Sequence, residues 1–471
     1  MTPKQIIEKI RTQLKDDYRN PKMVNNLLLY LAEDIYKLDN HYIFELLQNA
    51  DDNKYQANAI PSIEFNIESS RLIVINNEIG FTEENINSIC DAGSSSKKIN
   101  KIEGYIGEKG LGFKSIFKIT DTPEIYSNGF HFNFKALPDD GVEDGELAFV
   151  LPYWISNPDK NYINSNTNIV VPAKKGSSFS MDNFSEIKPE LLLFLRRLKH
   201  ITLEEKANRS SLEISREDSE DLITIRTREK KEGNIEENLE FYKISKFNID
   251  MSNLEIEKRK GFKETSIIFA FPITEQGQAK FDKTRKTFAF LPVHDYGLPF
   301  IIQSDFLLTT SREDISENNP WNEQIIKNIP IGFIQSSIPL FKQDKLLSKT
   351  FYGYLNPARV EGLFEASINE IVRGLYEENC ILSEALQWRK PDDCLFLERL
   401  VEPIIKNDEL NKLIGKEFVS KEIIKFNIVL EKLGCVAFSI DHMLECLKNE
   451  EWVDSHKNDK DWFKNLYTYL F

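Results

Sequence analysis

Gly104-Tyr105-Ile106-Gly107-Glu108-Lys109-Gly110-Leu111-Gly112-Phe113-Lys114-Ser115 puts four glycines into one short loop that runs on into the apolar, helix-like Ser115-Ile116-Phe117-Lys118. Backbone N–H groups at a helix start, freed from Cβ crowding by glycine, form a natural cradle for phosphate. Lys97, Lys98, Lys101, Lys109, Lys114 and Lys118 make this stretch basic within a chain of net charge -15. A polyphosphate ligand accounts for the contrast. The spacing is not that of a P-loop, which needs Gly, four residues and then Gly-Lys-Ser/Thr. Nor does the loop have the strand–loop–helix setting, with an acidic residue nearby, of a dinucleotide fingerprint.

Upstream, a Leu-rich apolar pattern predicts a helix over 24–38, and Ile43, Leu47 and Ala50 recur at helical spacing to predict another over 41–52. On the second, Glu45, Asn49 and Asp52 stand at i, i+4 and i+7 and so share one face. Two carboxylates and an amide oxygen are hard donors, suited to orienting water and to a magnesium ion that already carries phosphate oxygens. Taken alone, the stripe is also what a solvated helix face shows opposite Ile43, Phe44, Leu46 and Leu47. The period then changes: Ile63-Glu64-Phe65-Asn66-Ile67 alternates and Arg71-Leu72-Ile73-Val74-Ile75 is a β-branched run after Glu68-Ser69-Ser70, which predicts a hairpin. Asn76-Asn77-Glu78-Ile79-Gly80-Phe81 follows, where a short polar side chain can meet the edge of a base and Gly80 permits close backbone approach. These are also ordinary turn residues.

Downstream of the glycine loop, Glu124 to Phe134 reads as a second hairpin around Asn128-Gly129. Thr167-Asn168-Ile169-Val170-Val171 reads as a strand ended by Pro172, and the polar Lys174-Lys175-Gly176-Ser177-Ser178 as a boundary. Helices before and between the strands of a mixed sheet predict an α/β sandwich over 1–180. A connecting helix from Pro189 to Lys199, strands near Leu212–Ile214 and Leu222–Ile225, a charged loop at Arg228–Glu237 and strands at Ser266–Phe271 and Phe300–Gln303 predict a second α/β domain over 181–348. From 349 to 471 the pattern is charged and mainly helical, punctuated by Pro391 and Gly434.

Taken in order, Glu45 to Asp52, Asn76 to Phe81, Gly107 to Ser115 and Thr167 resemble the motifs of the GHKL superfamily of chaperone, mismatch-repair and topoisomerase ATPases. Asn77-Glu78-Ile79-Gly80-Phe81, Gly104 to Phe117, Phe290-Leu291-Pro292 and Gln303-Ser304-Asp305-Phe306 are more closely similar to the sacsin and NO VEIN-type ATP-binding proteins, over essentially the whole chain. The resemblance implies a Bergerat-type α/β sandwich, a transducer-like second domain, and ATP with Mg2+ as ligands. It implies that Glu45 polarises the attacking water, Asn49 helps hold magnesium and Asp52 lies beside the nucleotide. Gly107, Gly110 and Gly112 would bracket the triphosphate with Lys109, Leu111 and Phe113 among them. Lys97, in a lid from Asp91 to Lys98, would contact the nucleotide, as would Asn76, Gly80 and Thr167. Asn76 stands where many members carry the Asp that accepts the adenine amino group, and Glu78 replaces the first glycine of that motif. In the second domain Leu307-Leu308-Thr309-Thr310-Ser311-Arg312-Glu313 resembles the segment that sends an arginine to the γ-phosphate, with Ser316 in place of an assisting glutamine. A surface Arg–Glu pair is the other reading of Arg312.

The expected activity is ATP hydrolysis driving lid closure and homodimerisation, with a protein partner or effector, in a chaperone-like or antiviral defence setting. A non-hydrolysing nucleotide-binding scaffold is the alternative; a sensor histidine kinase fails because no phosphoacceptor-bearing helical hairpin precedes the site. The acidic balance disfavours broad nucleic-acid binding outside a local patch. No run of eighteen apolar residues suggests a membrane span, and the polar N-terminus suggests a cytoplasmic chain. Cys90, Cys380, Cys394, Cys435 and Cys446 lack zinc or disulfide spacing and read as buried small residues. The six histidines are dispersed, which supports neither metal ligation nor a serine-type triad.

Overall fold

A computed structural model describes residues 1–17, 41–90, 112–135, 149–254, 256, 259–309, 314–357 and 359–471. The helix expected over 24–38 lies outside these residues. The chain is mixed α/β and divides into two compact units, Met1–Glu240 with Phe290–Pro292 and Leu308–Asp314, and Phe241–Ala289 with Val293–Leu307 and Ile315–Phe471.

In the first unit, α1 (Pro3–Asp17) and α2 (His41–Asp52) precede a hairpin of β1 (Ser62–Glu68) and β2 (Arg71–Asn76). Their antiparallel register sets Ile63 against Asn76 and Glu68 against Arg71, with Ser69-Ser70 at the turn as the sequence predicts. The buried Ile63, Phe65 and Ile67 alternate along β1, which is the period-2 signature of a sheet with one covered face. After α3 (Glu83–Cys90) and a 310 turn over Gly112–Lys118 come β3 (Glu124–Ser127), β4 (Phe130–Asn133), β5 (Tyr153–Trp154) and β6 (Thr167–Pro172). Asn128 and Gly129 both take positive φ, 47° and 79°, the conformation that a two-residue hairpin turn demands. β7 (His200–Glu205), β8 (Ser210–Ser219), β9 (Leu222–Lys231) and β10 (Asn234–Asp250) complete this sheet, in the order β10-β9-β8-β7-β1-β2-β6-β3-β4-β5. β1 and β7 are parallel, and β2 pairs antiparallel with β6 so that Asn76 faces Thr167.

Two expectations are corrected here. The helix predicted from Pro189 to Lys199 is only a 310 turn over Pro189–Leu193. Its backbone groups have stronger partners than an α-helix offers: the Arg216 guanidinium donates to the carbonyls of Leu192, Leu193 and Leu195, and the Asp51 carboxylate takes the N–H groups of Arg196, Arg197 and Leu198. The charged loop predicted at Arg228–Glu237 is instead the end of β9 and the start of β10, joined at Glu232-Gly233 with φ of 51° and 89°. Charge there marks exposed strand faces, with Arg226 paired to Glu237.

β10 runs on into the second unit, where β11 (Glu264–Ile273), β12 (Arg285–Ala289), β13 (Leu291–Leu298) and β14 (Ile301–Gln303) follow in the order β13-β12-β14-β11-β10. Against them lies a helical run of α4 (Pro320–Gly332), a π turn (Phe333–Ser337) and α5 (Ile338–Gln343). Phe333 packs edge-on against Phe269 and Phe271. The C-terminal part is mainly helical, with α6 (Glu365–Leu375), α7 (Asn407–Ile414), α8 (Asn427–Leu433), α9 (Ile440–Cys446), α10 (Glu450–Ser455) and α11 (Lys460–Leu470). It also holds small strands that the sequence reading omits. Cys394–Phe396 pairs in parallel with both Glu417–Phe418 and Val436–Ala437, and each is too short to show a period. All five cysteines are free and buried, and burial pushes the Cys380 and Cys435 thiols up to about 12, so they are inert at neutral pH. Among the described residues no helix is long and apolar enough to cross a membrane.

Candidate nucleotide site

Burial excludes the solvated-face reading of the polar stripe on α2. Tyr42, Ile43, Leu46, Leu47 and Ala50 are buried as the helical period requires, but Glu45 (4% exposed), Gln48 (5%) and Asp52 (4%) are buried as well. A solvated face would leave these groups in water. Removing carboxylates from water costs several kcal/mol each unless they are matched, so the stripe is not the solvated face that its composition allows. Asn49 is half-buried beside them. The helix packs directly on the 310 turn that begins at Gly112, where the glycine segment ends.

Asp51, between these residues, has a different role. Its fully buried carboxylate accepts the N–H groups of Arg196 at 2.9 Å, Arg197 at 2.8 Å and Leu198 at 2.9 Å. Arg197 in turn donates to the Asp51 carbonyl at 3.1 Å. This staple ties the C-terminal end of α2 to the chain entering β7 and fixes the stripe in place.

The segment after β2 is fastened on both sides. The Asn76 amide donates to the Tyr55 hydroxyl and to the Ser62 carbonyl, both at 2.8 Å, and accepts from Asn53 at 3.1 Å. Asn77 accepts from the Ser62 N–H at 2.9 Å and donates to the Ile60 carbonyl at 2.8 Å. The buried acid here is Glu78, whose Oε1 accepts the Thr167 hydroxyl at 2.5 Å. Ser127 lies 2.5 Å from the Thr167 oxygen and takes the Phe81 N–H at 2.8 Å. Burial raises the Glu78 carboxyl above its usual range, against the opposing hydrogen bonds from Thr167 and the Gly80 backbone. Gly80 has φ of 91°, and a Cβ there would come within 2.6 Å of the Asn128 Cβ, so only glycine fits this approach to the β3–β4 turn.

Lys114, one of the basic residues after the glycines, is turned into the core. It donates to the Phe149 carbonyl at 2.5 Å and lies 4.9 Å from the Phe134 ring. Gly112 opens the 310 turn and Phe113 packs 6.1 Å from Phe134. Lys97, Gly107, Lys109, Gly110, Leu111 and the lid Asp91–Lys98 lie outside the described residues.

The sacsin domain matches residues 22–134, the stretch that holds α2, β1, β2 and the 310 turn. Protein NO VEIN of Arabidopsis thaliana is 32% identical over 481 aligned residues, which cover 94% of this chain and 17% of that protein. The chain is a sacsin/NO VEIN-like protein. It spans 17% of the length of that relative.

A second motif of the family resemblance, Gln303 to Phe306, anchors the chain that leads to Arg312. Asp305 accepts from the Arg259 guanidinium at 2.8 Å, and its carbonyl takes the Trp321 indole N–H at 2.8 Å. The buried Asn322 amide accepts the Leu307 N–H at 2.8 Å and donates to the carbonyls of Leu307 and Ser316 at 2.7 and 2.8 Å. One side chain thus closes both ends of the connection, and Ser316 serves in that closure. Arg312 itself lies outside the described residues.

Glu78, Gln48 and Asp51 are the residues that the sequence reading leaves without a role. Gln48 has a detectable signal, since it stands at i+3 from Glu45 and i−4 from Asp52 and so belongs to the same stripe. Asp51 has none, because its partners lie more than a hundred residues away. Among the described residues no group of three or more His, Cys, Asp or Glu could hold a metal ion.

Proposed function

We propose that the first unit is a Bergerat-type ATP-binding domain and that the chain hydrolyses Mg-ATP. The observation that carries this reading is the burial of Glu45 and Asp52, with Asn49 half-buried beside them, on a helix that packs on the turn ending the glycine segment. Glu45 would accept a proton from the attacking water, Asp52 would lie beside the nucleotide, and Asn49 would supply an oxygen to magnesium, which neutralises phosphate charge when bound. The glycine segment, with Lys97 and Lys109, would hold the triphosphate. Glu78 and Thr167, with Asn76 and Gly80 beside them, would form the end of the site that meets the base. Arg312 would approach the γ-phosphate. Lid closure, homodimerisation and coupling to a protein effector in a cytoplasmic, chaperone-like or defence role extend this proposal.

The alternative of a scaffold that binds ATP without hydrolysis is disfavoured by Glu45, since a pure binder needs no buried carboxylate to activate water. Titration calorimetry with ATP and ADP, beside phosphate release in Mg2+ or in EDTA, tests the proposal. The expected result is ATP binding with Mg-dependent turnover. Binding without turnover would leave the scaffold, and absence of binding would remove the nucleotide altogether.

A further inference from the structure

Phe438-Ser439-Ile440-Asp441-His442-Met443 opens α9 with a capping box in which histidine fills the place that Glu or Gln takes in most such boxes. Ser439 is the N-cap, and its hydroxyl oxygen takes the His442 N–H. In return the His442 Nδ1 accepts the Ser439 N–H at 3.1 Å and lies 2.9 Å from the Ser439 hydroxyl. A backbone N–H can only donate, so Nδ1 is unprotonated and the neutral ring carries its proton on Nε2. Phe438, just before the cap, and Met443, in the first turn, are both buried in one apolar cluster with Cys446, Phe418 and Trp452, the arrangement of a hydrophobic staple. α9 has seven residues, too few to hold a helix without its end contacts and packing.

We propose that this cap is a pH-sensitive latch: protonation of His442 frees the start of α9 and loosens the part of the C-terminal core that Met443 and Cys446 fill. The imidazolium carries a proton on Nδ1 and sets N–H against N–H, so the bond from Ser439 is lost and the two groups repel. Glu or Gln at this place keeps its acceptor through the same range. The charges that bear on the ring are Lys416, in the chain after α7, Asp392, and Asp441 and Glu445 on α9 itself. Lys416 is 3.8 Å from Asp392. α7, which packs on α9, carries Asp408, Glu409 and Lys412; Lys412 is 3.8 Å from Asp408, and Glu409 takes the Trp452 indole N–H at 3.2 Å. Burial holds the ring below the usual histidine value of 6.5, helped by Lys416 and opposed by Glu445, Asp441 and Asp392. Stability from the cap is therefore complete above 6.5 and is lost as pH falls through the lower folded value.

The test uses the full chain, with His442→Gln, which restores the common form of the box, and His442→Ala, which removes the acceptor. Long-range proton–nitrogen spectra of histidine-labelled protein report the tautomer and titration of His442. Hydrogen exchange read by mass spectrometry over residues 436–447, corrected for the intrinsic pH dependence of exchange, reports opening of α9. Wild type is expected to show Nδ1 unprotonated at neutral pH and a titration midpoint below 6.5. Its opening should rise roughly tenfold between about pH 7.5 and about pH 5, the scale of a lost cap. His442→Gln should stay closed across that range, and His442→Ala should open throughout it. The same pH dependence in wild type and His442→Gln would overturn the proposal, as would a His442→Ala chain that exchanges as slowly as wild type at neutral pH. A proton on Nδ1 at neutral pH would overturn it from the wild-type spectrum alone, whether or not either variant folds.

Discussion

Thr167 donates its hydroxyl proton to Glu78 at 2.5 Å, and both residues are buried. The bond joins the start of β6 to the segment leaving β2, the strands on which Asn76 and Thr167 stand opposite each other. Burial raises the Glu78 carboxyl, so the folded chain holds that proton more tightly than the unfolded one. Stability from this group is therefore complete below its ordinary value of 4.5 and is lost as pH rises through the folded value. Glu78→Gln, which does not titrate, should gain in relative melting temperature as pH climbs from about 4.5 to 8 in nucleotide-free protein. Parallel melting curves for the two proteins would show that Glu78 is not displaced.

Asn76→Asp separates fold from base contact. The new carboxylate would face the Ser62 carbonyl that Asn76 now donates to at 2.8 Å. Loss of that bond and the repulsion in its place should destabilise the chain by about 1–2 kcal/mol in urea denaturation. If Glu78 carries base recognition, Glu78→Gln weakens ATP roughly tenfold while Asn76→Asp does not tighten it. Tighter ATP in Asn76→Asp would return the base contact to position 76.

Asp51→Ala strips one buried acceptor from three backbone N–H groups. The expected loss is about 3 kcal/mol or more of unfolding free energy, read from the denaturation midpoint at constant m-value. A loss under about 1 kcal/mol would mean that the staple is replaced by water or by local rearrangement.

Arg312→Ala should lower turnover roughly a hundredfold and leave ADP affinity unaltered, because ADP has no γ-phosphate for a guanidinium to meet. Lys at this position should rescue in part, as a point charge without the planar fork. Normal turnover would assign Arg312 to the surface pair with Glu313, and equal weakening of ATP and ADP would place it elsewhere on the nucleotide.

What the sequence discloses is local. The period that predicts α2, the Ser69-Ser70 and Asn128-Gly129 turns and the strand from Thr167 all rest on neighbours within a few residues, and the fold has each of them. What it conceals is decided at long range. The stripe on α2 passes for a solvated face until packing buries it, and the Pro189–Lys199 helix fails because Asp51 and Arg216 claim its backbone from afar. Charge misleads at Arg228–Glu237, where alternation along an exposed ribbon resembles a loop, although Glu232-Gly233 is a turn signal in hindsight. The Glu78–Thr167 hydrogen bond is invisible in the motif itself, since its two partners are brought together only by the pairing of β2 with β6.

The central claim is that the buried face of α2 is hydrolytic, and Glu45→Ala tests it most directly. Single-turnover phosphate release and ATP calorimetry are measured on wild type and variant under the same Mg2+ concentration. The account predicts ATP binding within a few-fold of wild type and release slowed by at least roughly a hundredfold, the usual scale of general-base catalysis. Equal rates of release in the two proteins would contradict it.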